Sequence, residues 1–243
     1  MRPAAFNRIA YAEMGICNPL ADGAFLEALG RADLPPGARA CDLGCGNAHT
    51  SILMAGAGLQ ATAVERDPDM AELAAERIAA RGAAVELKVG EGLQALDAQE
   101  AWSLIVAIGT TALTDPGPAR FAGLAARLAP GGRLLFGDLM WKAEPDPAFR
   151  DLLHQTAVYE SHAGWIEAGR ASGLQPLWDR VSTEAEWDAY AGAMTGAVEA
   201  WIAANPDRPE ASALRNRVAL LRAMQQGEAG RTLGFGLYLF GKA

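Results

Sequence analysis

The strongest constraint on the fold is an alternation of short apolar segments with longer helical segments between residues 38 and 140. Five segments have the length and composition of buried strands, namely Ala38–Leu43, Gln60–Glu65, Ala84–Val89, Trp102–Ile108 and Arg133–Met140. Helical spacing is found between them, at His49–Gly58, Asp67–Arg81 and Asp115–Leu128. Strands that alternate with helices pair in parallel through crossover connections, which predicts a doubly wound α/β sheet. A ligand of such a sheet binds beyond the carboxyl ends of the strands.

Further segments flank this unit on both sides. Residues 1–30 have a helical pattern that is broken at Asn18-Pro19. After the unit we expect a helix at His162–Ser172 and strands at Leu174–Thr183 and Thr232–Phe240. Residues 184–230, before the final strand, are too many for a plain loop and are helical in pattern. We interpret them as a helical cap over the carboxyl ends of the strands.

Composition and charge exclude several classes of protein. The chain has 243 residues, of which 51% are apolar and 21% charged, as in an ordinary globular protein. Its net charge of −8 is unfavourable for contact with a nucleic-acid backbone. No apolar run is long enough for a membrane span, and neither a metal-ligand spacing nor a disulfide framework is present. We therefore expect a cytoplasmic protein that binds no nucleic acid, no membrane and no metal.

The segment Asp42-Leu43-Gly44-Cys45-Gly46-Asn47 follows the first predicted strand and is the strongest indication of a site. Gly44 and Gly46 allow a sharp turn that comes close to a ligand. A dinucleotide fingerprint requires a small residue where His49 stands, and Asp42 would repel a pyrophosphate. An acid at that place instead suits the ammonium and sulfonium groups of S-adenosylmethionine.

Two more acids follow the next strands. Glu65 lies 19 residues after Gly46, at the end of the second predicted strand, where it can accept hydrogen bonds from both ribose hydroxyls. Taken alone, this position fits NAD and S-adenosylmethionine equally well. Glu91 follows the third predicted strand, and could accept from the exocyclic amine of adenine.

In the order and spacing of these motifs the sequence resembles the class I S-adenosylmethionine-dependent methyltransferases. The resemblance implies an enzyme with a mostly parallel, seven-stranded Rossmann-like sheet and an antiparallel last strand. Residues 1–243 would form one methyltransferase domain, with a cofactor-binding core at 38–140 and an N-terminal helical lid at 1–30. The implied cofactor is S-adenosylmethionine, with S-adenosylhomocysteine as product. The implied cofactor-binding residues are Asp42, Gly44, Cys45, Gly46, Asn47, Glu65, Arg66, Glu91, Gly92 and Ile108.

Asn18-Pro19-Leu20 and the closing segment Thr232–Tyr238 are similar to a bacterial group of this family that acts on small molecules. The sequence departs from that group's pattern in two places. Ala112 stands in place of a histidine, and Gly137-Asp138-Leu139-Met140-Trp141 stands in place of Gly-Glu-Gly-Tyr-Trp. The polar candidates on the substrate side are Asp138, His154, His162, Tyr11, Tyr159 and Tyr190, and Trp141 and Trp187 could wall an apolar pocket. Asp138 is the preferred catalytic base because it lies in the carboxyl-terminal part of a predicted strand, although a helix cap or a supporting acceptor explains it equally well.

Four functions remain open from the sequence. The preferred one is in-line methyl transfer to a small-molecule substrate, which requires mainly proximity and alignment. The alternatives are methylation of a protein, non-catalytic binding of the cofactor, and a nicotinamide dehydrogenase, which Asp42 and His49 disfavour. A homodimer is the assembly to test.

Overall fold

The computed structural model describes residues 6–96, 101–110, 118–155 and 159–243. Its sheet has eight strands, with the order β3-β2-β1-β4-β5-β8-β7 and a short β6 paired to β5. The strands are β1 Arg39–Leu43, β2 Gln60–Glu65, β3 Val85–Val89, β4 Trp102–Ile108, β5 Leu128–Trp141, β6 Glu160–Ser161, β7 Leu174–Val181 and β8 Leu233–Lys242. The helices are α1 Phe6–Tyr11, α2 Asp22–Arg31, α3 His49–Gly56, α4 Pro68–Arg81, α5 Pro118–Arg127, α6 Pro147–His154, α7 His162–Ala171, α8 Glu184–Ala204, α9 Glu210–Gln226 and α10 Glu228–Thr232.

The predicted doubly wound sheet is confirmed. Strands β1 to β5 pair in parallel, and β8 runs antiparallel to both β5 and β7. The additional strand, β6, has only two residues and was not expected from the sequence. The predicted strand Trp102–Ile108 has the same bounds in the structure, as β4, and the helical region predicted at 184–230 begins where α8 begins.

The predicted ends of α4 are also confirmed. Asp67 accepts a hydrogen bond from the Asp69 N–H as the N-cap, and Gly82 ends the helix at φ 55°. The expected start of α5, at residues 115–117, lies outside the described residues.

Strand β5 differs from the expectation at both ends. The sequence predicted a strand at Arg133–Met140, whereas β5 runs from Leu128 to Trp141. At its start the register against β4 shifts between Trp102 and Leu104, so the added residues pair through an irregular ladder. At its end Trp141 pairs with Leu233 of β8, which extends the strand.

Alternate residues of the central strands divide the core into two layers. Leu104 of β4 and Leu135 of β5 belong to the layer that contains Phe25 of α2. Ile105 and Phe136 belong to the opposite layer, which is completed by Phe121, Trp165, Tyr238 and Phe240. Both faces are therefore covered, as the apolar sequence of β4 predicted.

Helices α8 and α9 form a third apolar cluster with α1, which includes Phe6, Met194, Val198 and Leu214. A capping box at Thr183 and Glu186 begins α8. Glu186 also accepts the Ala21 N–H and pairs with Arg180 of β7. The start of α8 is thereby attached both to the N-terminal segment and to the sheet. Among the described helices, none is both long and apolar enough to cross a membrane.

Candidate functional site

The turn between β1 and α3 wraps over the carboxyl end of β2. Gly44 and Gly46 have φ values of 71° and 57°, in the left-handed region that favours glycine. The N–H groups of Gly44 and Cys45 donate to the Val64 carbonyl, at 2.8 and 3.0 Å. A Cβ on Gly46 would lie 3.3 Å from Cys17 Sγ, so the N-terminal segment closely approaches this turn.

Glu65 lies at the end of β2 and is only 7% exposed. Its Oε2 accepts the Gly46 N–H at 2.9 Å, and its Oε1 accepts the N–H groups of Arg66 and Asp67 at 2.8 and 2.9 Å. A carboxylate has about four acceptor positions. Glu65 therefore fixes the glycine turn and has one position left for a further donor, fewer than the two ribose contacts expected from the sequence.

Asp42 lies at the end of β1 and is 2% exposed. Its Oδ2 accepts from Thr50 Oγ1 at 2.5 Å and from Ser51 Oγ at 2.6 Å, both in the first turn of α3. Burial raises the pKa of Asp42, and the two hydroxyl groups oppose that rise. In the structure Asp42 thus joins the glycine turn to α3, and its contact with a ligand ammonium stays a prediction.

The opposite side of the turn carries an exposed ion pair. Arg66, which follows β2, lies 3.0 Å from Glu91, which follows β3. Gly92 comes next at φ 46° and starts a short 3-10 helix. Three residues that were predicted to bind the cofactor therefore lie together at one edge of the site.

Strand β4 ends at Ile108 and is followed by Gly109 at φ 69°. A Cβ on Gly109 would lie 2.6 Å from Asn18 Oδ1, so Asn18 occupies the space over this backbone. The adjacent Thr110 hydroxyl is buried and has no hydrogen-bond partner among the described residues. Ala112, which departs from the family pattern, lies outside the described residues.

A cavity of about 690 Å³ lies between the ends of β4 and β5, the N-terminal segment, and helices α8 and α9. Tyr11, Tyr159, Tyr190 and Trp187 line it, as the sequence suggested they could. The other lining residues include Phe6, Asn18, Gly109, Asp138, Lys142, Met194, Arg217 and Phe235. Trp141 and the histidines His154 and His162 are not among the lining residues. His162 instead lies 2.9 Å from Asp179 and 3.2 Å from the Tyr238 hydroxyl.

Asp138, the predicted base, lies in β5 and is 3% exposed. Its Oδ1 accepts the Leu139 N–H at 2.7 Å, and its Oδ2 lies 3.8 Å from Nη1 of the buried Arg120. Burial raises the pKa of Asp138 to about 7, and the Leu139 N–H and Arg120 oppose that rise. Arg120 could not be identified from the sequence as a partner of Asp138, because nothing in its local pattern distinguishes a buried arginine from a solvated one.

Solved structures with the same fold cover the whole chain. A SAM-dependent methyltransferase from Thiobacillus denitrificans, in complex with S-adenosyl-L-homocysteine, matches with a TM-score of 0.86 and 21% identity over 100% of both chains. The SAM-dependent methyltransferase from Geobacter sulfurreducens, also in complex with S-adenosyl-L-homocysteine, matches with a TM-score of 0.86 and 20% identity over 99% of both chains. In sequence, residues 40–132 match the family model described as a methyltransferase domain. Residues 40–132 therefore carry a methyltransferase domain.

The matched part of the methyltransferase domain contains the glycine turn, Glu65 and Glu91. Two curated relatives are named protein-L-isoaspartate O-methyltransferase. The one from Methylorubrum populi is 32% identical over 141 residues, and the one from Methylorubrum extorquens is 30% identical over 120 residues. The chain spans 62% and 49% of the length of these two relatives. The fold expected from the sequence is confirmed, and the match to a methyltransferase domain agrees with the expected family.

The residues of the methyltransferase domain fit the implied cofactor. Glu65 retains an acceptor position, and the Thr110 hydroxyl is a buried polar group without a partner among the described residues. The buried side chains Asp42 and Glu65 are hydrogen-bond acceptors, which suits a ligand with donor groups rather than a phosphate.

Proposed function

We propose that this chain transfers a methyl group from S-adenosylmethionine to a small molecule bound in the cavity beneath α8 and α9. The observation that supports this most is the cavity of about 690 Å³ at the ends of β4 and β5. Pockets of this volume, with mostly apolar walls and a few polar groups, are typical of small-molecule sites.

The cofactor would be held along the carboxyl edge of β1, β2 and β3. Glu65 would accept from a ribose hydroxyl at its remaining position, and Arg66 and Glu91 would border the adenine ring. The backbone of Gly44–Gly46 and Ile108 would face the rest of the cofactor, with Asp42 behind the turn. When bound, the cofactor supplies a methyl group that is already electrophilic.

The chain itself contributes alignment and exclusion of water. The aromatic walls at Phe6, Tyr11, Trp187 and Tyr190 would hold the acceptor and remove it from solvent. Asp138 would accept a proton from an acceptor alcohol or phenol, since its pKa of about 7 leaves it a competent base near neutral pH. A thiol or an amine acceptor would depend less on this residue.

Methylation of a protein is the second candidate, because the two curated relatives are named for a protein-L-isoaspartate activity. The helices over the cavity favour a small-molecule substrate over a protein substrate, since a protein needs an open cleft to reach the methyl group of the cofactor. Non-catalytic binding of the cofactor is the third candidate.

The test combines a binding measurement with a methyl-transfer measurement. Calorimetric titration with S-adenosylhomocysteine should show binding to the wild type. Transfer of a labelled methyl group should then be measured on thiols, amines, phenols and an isoaspartyl peptide. We expect turnover on a small molecule, and loss of turnover on an alcohol or phenol in Asp138→Asn but not in the exposed control Asp151→Asn. Turnover on the peptide alone favours the second candidate, whereas binding without any turnover favours the third.

A further inference from the structure

The two N–H bonds of one buried side-chain amide are shared among three carbonyl groups of the N-terminal segment. Asn47 Nδ2 lies 3.0 Å from the Tyr11 carbonyl, 2.9 Å from that of Met14 and 3.1 Å from that of Gly15. Asn47 is 1% exposed, so these bonds form away from water. The resemblance places Asn47 among the cofactor-binding residues, but in the structure its amide is committed to another part of the chain.

The direction of this amide is fixed by its other end. Asn47 Oδ1 accepts the His49 N–H at 3.1 Å, at the start of α3. Since the oxygen is held there, the NH₂ group must point toward residues 11–15. The neighbouring Gly46 N–H is bound to Glu65, so the amide is rigidly connected to the glycine turn.

A second side chain reaches the same segment from α4. Arg77 Nη1 donates to the Ala12 carbonyl at 2.9 Å and to the Met14 carbonyl at 2.7 Å. Its Nη2 lies 3.4 Å from His49 Nδ1. Helix α1 ends at Tyr11, so these carbonyls have no partner further along a helix. We call Asn47 and Arg77 the carbonyl clamp.

The clamped segment leads directly to the cavity beneath α8 and α9, which we call the acceptor cavity because the proposed function places the methyl acceptor there. Tyr11 lines the cavity, and its hydroxyl shares a hydrogen bond of 3.0 Å with that of Tyr190 in α8. A continuous set of contacts therefore runs from Glu65 through Gly46 and Asn47 to the backbone at Tyr11, and from there to α8.

We infer that Asn47 is a positioning residue, which fixes residues 11–15 and thereby couples the glycine turn to the wall of the acceptor cavity. Its role is to hold the segment that closes the site rather than to contact the cofactor. The functional meaning of this coupling rests on the proposed function, whereas the clamp itself can be measured without any ligand.

The experiment uses Asn47→Ser and Arg77→Ala in the full chain, with Arg81→Ala as the control. Serine can still accept the His49 N–H but is too short to reach the three carbonyls. Arg81 lies in the last turn of the same helix α4 and is exposed. Backbone hydrogen exchange of peptides covering residues 6–20 and the affinity for S-adenosylhomocysteine are measured for each protein.

We expect both clamp variants to accelerate exchange at residues 11–17 at least tenfold without ligand, and to weaken S-adenosylhomocysteine binding at least tenfold. Arg77→Lys, which keeps a cationic donor, should restore part of both, and Arg81→Ala should change neither. Weaker binding in Asn47→Ser with wild-type exchange would make Asn47 a direct cofactor contact and overturn the inference. Unchanged exchange in both variants would also overturn it.

Arg77→Ala alone tests the inference if Asn47→Ser does not fold, because Arg77 does not touch the glycine turn. A wild type that does not bind S-adenosylhomocysteine would contradict the proposed function instead. The exchange measurement would still decide whether the clamp exists.

Discussion

The hydroxyl groups of Tyr11 and Tyr190 lie 3.0 Å apart, and their rings stack at a centroid distance of 6.5 Å with an interplanar angle of 22°. This contact joins the end of α1 to α8 beside the cavity that both tyrosines line. Burial is the main cause that raises the pKa of both phenols, so the pair stays neutral at physiological pH. A neutral hydrogen bond in an apolar wall fixes the relative position of the N-terminal segment and the cap.

Removing one of these hydroxyls should destabilise the protein. In Tyr190→Phe the ring remains, but the partly buried Tyr11 hydroxyl loses its partner, at a cost of about 1–2 kcal/mol in the free energy of unfolding. Urea denaturation measures this cost. The double variant with Tyr11→Phe should lose less than the sum of the two single variants, because no unpaired hydroxyl is left. Strict additivity would show that the bond does not contribute.

Gly109 should tolerate alanine less well than Gly37 does. Both have positive φ, 69° and 78°, and so both substitutions cost about 1–2 kcal/mol in backbone strain. Only at Gly109 does the new Cβ meet another group, Asn18 Oδ1 at 2.6 Å, whereas nothing lies within 4 Å at Gly37. We expect Gly109→Ala to cost about 1 kcal/mol more in denaturant unfolding.

Truncation of Asn18 provides the internal control for that prediction. In an Asn18→Ala background the clash is absent, so Gly109→Ala should cost no more than Gly37→Ala. An excess cost that persists in this background would place the strain elsewhere.

Asp138 should make stability fall as pH rises. Its folded pKa of about 7 lies above the ordinary value of an aspartate near 4, so the folded chain keeps a proton that the unfolded chain has lost. The free energy of unfolding should therefore decrease between about pH 4 and pH 7. The difference in free energy of unfolding between Asp138→Asn and wild type should shift in favour of the variant by about 1 kcal/mol or more from pH 5 to pH 8. Urea denaturation of both proteins at the two pH values measures this shift. Asp151→Asn, at an exposed position, should show no such gain.

Glu65 should matter for both the turn and the cofactor. Glu65→Ala removes the acceptor of three backbone N–H groups as well as the ribose contact, and should weaken S-adenosylhomocysteine binding by about 2 kcal/mol or more. Glu65→Gln keeps the shape of the side chain and one acceptor oxygen, and should therefore lose less binding free energy than Glu65→Ala. Glu86→Ala, on the neighbouring strand β3, serves as the control in the same titrations. Equal affinity in all four proteins would remove Glu65 from the binding site.

Most of the fold could be predicted because the signals are local. The apolar run of β4, the Asp67 cap and the Gly82 terminator each specify their element through nearby residues. Strand β6 was missed because two residues carry no periodicity, and β5 extends past its predicted ends because pairing with β4 and β8 decides where a strand stops.

The amino-acid order by itself determined which side chains end the parallel strands, since the period of a strand and the crossover rule bring Asp42, Glu65, Glu91 and Asp138 to one edge of the sheet. Only the tertiary structure decided which groups the polar side chains at this edge contact. Asn47 turns its amide to residues 11–15, Asp42 binds the first turn of α3, and Asp138 lies against Arg120. These partners are distant in the chain or depend on side-chain direction, and a buried polar group takes whichever partner the packing brings within reach, because leaving it unpaired costs free energy.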